Sequence, residues 1–148
     1  MTPPPTGATL GVAVVGAGRI GALHASHLLG GVPGARLVRV VDPDPAAAER
    51  AAGGVAAVSA RLEDALSDPA VDAVVVASPT DRHVEQLRAV AAAGKAVFCE
   101  KPVARTLAGT EEALRAVEAA GVPFQIGFNR RFDPAYAEVA RAVKAGEI

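Results

Sequence analysis

The sequence predicts a doubly wound α/β fold, a parallel sheet between two layers of helices in an αβα sandwich. Three observations predict it. Short runs rich in β-branched residues alternate with alanine-rich stretches of helical period. Several of the runs are apolar without alternation of period two, the pattern of strands covered on both faces. Glycines stand where the helices should stop, at Gly30-Gly31, Gly53-Gly54, Gly94, Gly121 and Gly146. Short links between strand, helix and strand require right-handed crossovers, which make the strands parallel.

Taken in order, the expected strands are Leu10–Val15 and residues 37–41, 55–58, 71–77, Ala96–Cys99 and 124–127. The expected helices between them are residues 20–29, Pro45–Ala52, Leu62–Leu66, 82–93, Leu107–Ala120 and Pro134–Ala145. Thr80 or Asp81 is the expected N-cap of the fourth helix, and Thr106 or Thr110 of the fifth, with Glu111 and Glu112 early in it. The last helix carries an apolar stripe of Tyr136, Val139, Ala140 and Val143, which should dock on the sheet. Residues 1–9, with three prolines, read as a flexible leader, and residues 10–148 as one domain without repeats or an internal linker.

Composition agrees and excludes other classes. The 148 residues are 51% hydrophobic and 21% charged, so the chain can bury a core and is not disordered. Fifteen Lys and Arg against 16 Asp and Glu leave a net charge of −1, with no electrostatic case for nucleic acid or an acidic membrane. Only 3% of residues are aromatic, so the core must be Ala, Val, Leu and Ile. The single cysteine, Cys99, excludes an internal disulfide and suits a reducing compartment. The start lacks the basic region of a signal peptide, and the apolar run over residues 10–18 is far shorter than the roughly 18–20 residues of a membrane span. A soluble cytoplasmic protein is expected.

Gly16-Ala17-Gly18-Arg19-Ile20-Gly21 is a GxGxxG placed directly after the first strand and opening the first helix. Gly16 permits the tight turn, Gly18 lets a pyrophosphate approach the backbone, and Gly21 lets helix and strand pack closely. The free N–H groups of that helix terminus then hold the anion without a basic side chain. Asp42 ends the second strand 21 residues after Gly21, where a carboxylate can accept both ribose hydroxyls of NAD and would repel a 2′-phosphate. No arginine follows at once (Pro43-Asp44-Pro45), so NAD is expected rather than NADP. An ordinary Gly-rich turn and an exposed Asp before proline are the plainer explanations of the same residues.

The remaining polar clusters fall at strand ends. Ser78-Pro79-Thr80-Asp81-Arg82-His83 follows the fourth strand, Glu100-Lys101-Pro102 the fifth, and Asn129-Arg130-Arg131-Phe132-Asp133 the sixth. In an open α/β sheet, ligands bind beyond the carboxyl ends of the strands, so these clusters converge on one edge. Lys101 is one of three lysines among 15 basic residues. An ammonium can bond a hydroxyl and exchange a proton, which a guanidinium cannot. The following proline biases Lys101 away from helix.

Together these residues resemble the Gfo/Idh/MocA oxidoreductase family, and within it the inositol 2-dehydrogenases. The resemblance rests on Gly16–Gly21, Asp42, Ser78-Pro79-Thr80 with His83, Glu100-Lys101-Pro102 and Gly127-Phe128-Asn129-Arg130-Arg131-Phe132-Asp133, over residues 10–148. It implies a Rossmann-type, NAD-binding domain of an enzyme that moves hydride between a sugar or polyol CH–OH group and NAD. It implies that Lys101 contacts the reacting hydroxyl. Ser78, Thr80 and His83 would line the ribose and nicotinamide side, with Pro79, Glu100 and Pro102 beside them, while Asn129 would lie toward the substrate and Arg130 near substrate or nicotinamide. Family members continue into a large substrate domain that supplies an Asp and a His, the His as base. That domain is expected to be absent here, so the expectation is a chain that binds NAD without oxidising a polyol alone. A full-length member is expected to be an oligomer. A stand-alone NAD-binding module and an inactive fragment are the rival readings.

Two weaker signals are set aside. His24 and His27 could nominally share a metal, but no further ligand completes a site. Cys99 beside Glu100 has no histidine placed by sequence to activate it as a nucleophile.

Overall fold

The computed structural model describes residues 9–148, so the expected leader lies, but for its last residue, outside the described residues. Six parallel strands form one sheet: β1 (Leu10–Val15), β2 (Ala35–Val41), β3 (Ala57–Ser59), β4 (Ala73–Val76), β5 (Ala96–Cys99) and β6 (Phe124–Ile126). Their spatial order is β3-β2-β1-β4-β5-β6. The chain therefore winds outward from β1 in one direction and, after β4, in the other. That reversal opens a crevice between β1 and β4, the place where doubly wound sheets bind nucleotides.

Helices α1 (Arg19–Leu29) and α2 (Pro45–Ala52) cover one face over β1, β2 and β3, and α4 (Thr80–Ala92) and α5 (Leu107–Ala120) lie on the other, with the short α3 (Leu62–Leu66) between β3 and β4 in sequence. Two cores result, because successive strand residues point to opposite faces. Val14, Val40, Ala25, Ala48 and Ala52 pack under α1 and α2. Val15, Val74, Val76, Leu87, Val90 and Val117 pack under α4 and α5. Fully buried Leu87 is a keystone there, and its truncation to Ala would cost about 2–5 kcal/mol.

Local chemistry fixes the helix ends. Asp44 caps α2 by accepting the Ala46 N–H at 2.9 Å, and Pro45 occupies the first helical turn. Thr106 caps α5 by accepting the Gly109 N–H at 3.1 Å, which settles the choice between Thr106 and Thr110. Gly53 and Gly121 end their helices in the left-handed region, at φ 61° and 63°.

Three expectations need correction. β3 starts at Ala57, not Val55, because Gly53 and Gly54 both hold positive φ and leave Val55 exposed. α4 starts at Thr80 with Pro79 in the cap position and no side-chain cap, so Thr80 and Asp81 lie inside the first turn. The stripe of the last helix, α6 (Pro134–Ala145), does not dock on the sheet. Tyr136, Val139 and Val143 are more than half exposed. Asp133 caps α6 beyond the edge strand β6, and the helix packs instead on the 3₁₀ turn Asn129–Phe132 that precedes it.

Register matters most for the site. Ser59, Val41, Val15, Val76, Cys99 and Ile126 form one row across the sheet, each the last residue of its strand. The strands thus stop together, and the residues after them share one edge.

Candidate functional site

That edge is built one residue further by backbone bonds. Gly16 donates to Val41, Asp42 to Ser59, Ala77 to Val15, Glu100 to Val76 and Gly127 to Cys99, at 2.8–3.0 Å. The loop after β1 then turns sharply. Gly16 has φ 92°, and a Cβ there would lie 2.6 Å from the Ser78 nitrogen. A Cβ on Gly21 would overlap the Gly16 carbonyl oxygen. Both positions demand glycine because backbone packs on backbone.

Gly18 differs from both. A Cβ on it would meet nothing within 4 Å, so the loop presents bare backbone to open space beside the start of α1. Gly18 is extended, with no side chain capping the helix, and the first intrahelical bond runs from Ala22 N–H to Gly18. The amides of Arg19, Ile20 and Gly21 precede that bond, at the positive end of the helix dipole. This donor set and the open glycine fit a diphosphate.

Asp42 sits beside the loop, half-buried. One carboxylate oxygen accepts the Ala17 N–H at 2.6 Å and the other the Asp44 N–H at 2.8 Å. A carboxylate offers about four acceptor positions, so roughly two remain for hydroxyls. Ala17 itself is buried, and its N–H serves Asp42, which fixes the loop to the end of β2.

After β4, the Ser78 hydroxyl bonds to Gln86 on α4. His83 corrects an expectation. It is 1% exposed, with Nδ1 2.8 Å from the Pro102 carbonyl oxygen and Nε2 2.9 Å from that of Ser78. The ring lies between two loops, with both nitrogens engaged inside the protein, rather than lining the crevice. Thr80 stays at the surface of α4, partly exposed.

After β5, Glu100 turns back toward α1, where one carboxylate oxygen lies 2.9 Å from His24 Nε2. Glu100 was expected at the cofactor, and its carboxylate is instead mostly buried against His24, which stacks edge-on against Phe98. Gly127 on the next strand leaves the space: a Cβ there would come within 3.2 Å of the Glu100 carboxyl carbon. Lys101 makes no such side-chain bond. It is exposed, and its ammonium has no hydrogen-bond or ion-pair partner among the described residues. The Lys101–Pro102 peptide bond is cis.

Asn129 and Arg130 lie on the 3₁₀ turn after β6, lining with Lys101 and Tyr136 a groove of about 1000 Å³. The Arg130 guanidinium bonds Asp133 at 2.9 Å and stacks 4.6 Å above the Tyr136 ring. Cys99 is buried below this edge; burial, and secondarily the Glu100 charge, push its thiol up to about 12, so it stays protonated and inert at neutral pH. Sequence reasoning missed the His24–Glu100 pair and the double engagement of His83. Partners 76 residues apart leave no signal in spacing, and the two polar side chains gave no cue that they face inward.

Comparison with known proteins agrees with this geometry. A model of an oxidoreductase family, GFO_IDH_MocA with an NAD-binding Rossmann fold, matches residues 10–128. The chain is 44% identical over 138 residues to scyllo-inositol 2-dehydrogenase (NAD(+)) of Bacillus subtilis, covering 92% of this chain and 40% of that protein. It is 42% identical to inositol 2-dehydrogenase of Rhizobium meliloti, covering 95% of this chain and 42% of the relative. It superposes with TM-score 0.87 and 31% identity on scyllo-inositol dehydrogenase of Lactobacillus casei with bound NAD(H) and scyllo-inositol, covering 95% of this chain and 42% of that one. The chain thus spans about two fifths of the length of these relatives. With that match laid over the open glycine loop, the row of strand ends and the reversal between β1 and β4, the chain belongs to the Gfo/Idh/MocA oxidoreductase family and carries its NAD-binding Rossmann fold.

Proposed function

We propose that this chain is the cofactor-binding half of an NAD-dependent dehydrogenase acting on a sugar or polyol CH–OH group, with a cyclic polyol of the inositol type as the favoured substrate. The observation that carries the reading is Lys101: an exposed, unpartnered ammonium on the same edge as the open Gly18 loop and the half-used Asp42 carboxylate. Inositol dehydrogenases among the relatives support the substrate class.

When bound, the nicotinamide dinucleotide supplies the hydride acceptor. The amides of Arg19, Ile20 and Gly21 and the bare backbone at Gly18 hold the diphosphate. Asp42 takes the ribose hydroxyls with its remaining lone pairs and repels a 2′-phosphate, which selects NAD over NADP. Ser78, Pro79, Thr80 and Pro102 flank the nicotinamide side. Lys101 bonds the reacting hydroxyl through its ammonium and serves as the chain's own group for moving that hydroxyl's proton. Arg130, its plane fixed by Asp133 and Tyr136, and Asn129 present donors to the substrate's other hydroxyls. The full-length enzyme is taken to be a cytoplasmic oligomer without nucleic-acid or membrane partners; among the described residues no helix is long and apolar enough to cross a membrane.

Calorimetric titration of the chain with NAD and NADP tests this. The wild type should prefer NAD. Asp42→Ala should lose about 1.5–3 kcal/mol of NAD binding, the worth of hydrogen bonds to a charged group, and narrow the gap to NADP. Equal losses for both cofactors would remove Asp42 from ribose recognition. Absence of NAD binding by the folded chain would overturn the whole reading.

A further inference from the structure

Lys101 has a free side chain on a backbone gripped from both sides. Glu100, just before it, bonds His24 of α1 at 2.9 Å. Pro102, just after it, places its carbonyl oxygen 2.8 Å from His83 of α4. The two helices lie on opposite faces of the sheet: Ala25 of α1 packs in one core, Leu87 and Val90 of α4 in the other. We propose that His24 and His83 form a brace that positions Lys101, a role that rests on the reading of Lys101 given above.

Each half of the brace has its own support. His24 is held by Phe98, with ring centroids 5.2 Å apart and edge to face. The Glu100 carboxylate it meets is cradled by Gly127, where any side chain would intrude. His83 is fully buried, and its second nitrogen faces the Ser78 carbonyl oxygen. Whichever nitrogen carries the proton, the ring bonds one loop and abuts the other, so it sets the spacing between the ends of β4 and β5. The Lys101 ammonium has no hydrogen-bond or ion-pair partner among the described residues, so the start of its side chain, at the rim of the groove it lines with Asn129 and Arg130, is set by residues 100 and 102. His83 is buried and the His24 ring is spent on Glu100 and Phe98, so both act through residues 100 and 102, as positioning residues and not catalytic ones.

The test uses acetylation of lysines by acetic anhydride, read by mass spectrometry, with and without NADH. The chain has three lysines, and Lys95, at the opposite edge of the sheet, serves as the internal reference, because Lys144 lines the same groove as Lys101. With NADH at about ten times its Kd, mass action leaves about one site in ten free, and acetylation of wild-type Lys101 should slow about tenfold. In His24→Phe, which keeps a ring against Phe98, and in His83→Leu, each at about ten times its own Kd, protection of Lys101 should fall below about threefold. His24→Gln restores a side-chain N–H donor and should restore protection. Should His83→Leu fail to fold, His24→Phe and Glu100→Gln carry the test. Full protection in both His24→Phe and Glu100→Gln would overturn the brace while leaving Lys101 at the cofactor. Absence of NADH protection in the wild type, with binding intact, would overturn the assignment of Lys101 itself.

Discussion

At the amino ends of the strands, Asp72 accepts the Gly11 N–H at 2.7 Å, Asp68 meets Arg39 of β2 at 3.1 Å, and the Lys95 ammonium donates to the carbonyls of Asp68 and Val71 at 3.1 and 2.7 Å. At the carboxyl ends, Gly18 borders open space, Asp42 uses two of its lone pairs, and Lys101 uses none of its side-chain donors on the described residues. The same residue types, Gly, Asp and Lys, stand at both edges. One edge is closed on itself, which is what a stable structure asks of half-buried polar groups. The other leaves valences open, and open valences on a preorganised frame are where a ligand gains its energy. Substitutions at the two edges should therefore separate stability from binding.

The largest separation is expected between the two lysines. Joined to the C-terminal part of the Bacillus subtilis relative, the chain carrying Lys101→Met should lose about 10²–10⁴-fold in the rate of NAD reduction, the usual worth of a proton-transfer group, without a lower melting temperature. Lys95→Met should do the reverse. It strands the Val71 carbonyl, while that of Asp68 keeps the Val71 N–H at 3.2 Å, and should cost about 1–3 kcal/mol of stability, leaving the rate of NAD reduction intact. A Lys101 variant that melts early at full rate would erase the distinction between the edges.

The glycines offer a second, smaller contrast. Gly11→Ala would drive a Cβ into the Ala70 carbonyl oxygen, so backbone must move and the melting temperature must fall. Gly18→Ala meets nothing in the protein, so the fold should hold. Its methyl group would occupy the diphosphate's approach, and the NADH Kd should rise by about tenfold or more, since close backbone approach is what that glycine allows. Thermal melting and NADH fluorescence titration on the same two variants read both effects. Unaltered NADH affinity in Gly18→Ala would mean the open glycine is not the cradle.

The two edges also differed in how openly the sequence declared them. The carboxyl edge was legible because its residues obey a spacing rule: a glycine loop after a strand, an acid 21 residues on, polar clusters after three more strands. Helices closed by Gly53 and Gly121 were legible for the same local reason. The amino-edge closure by Lys95, Asp72 and Asp68 was not, because each bond joins residues 24 to 61 positions apart. Nor was the inward turn of Glu100, which depends on Gly127 leaving room on a neighbouring strand. The stripe of α6 misled because apolar period shows which face seeks cover but not whether the sheet lies beneath it.

Titration should sharpen the comparison with the smallest effects, one group from each edge and of opposite sign. At the amino edge, the Ala70 N–H first and the Arg39 guanidinium second hold the Asp68 carboxyl below its ordinary range. Its contribution to stability is therefore present above the ordinary value, near about 4, and is lost as pH falls through the lowered one. At the carboxyl edge, burial first and Glu100 second raise the Cys99 thiol to about 12. The unfolded thiol ionises from about 8.5 while the folded one stays protonated, so stability is lost as pH rises between those values. Melting curves should show Asp68→Asn flattening only the acid limb and Cys99→Ala flattening only the alkaline limb. If Cys99→Ala leaves the alkaline limb unchanged, the thiol is ionising in the folded state, and Cys99 must be reached by water from the crevice.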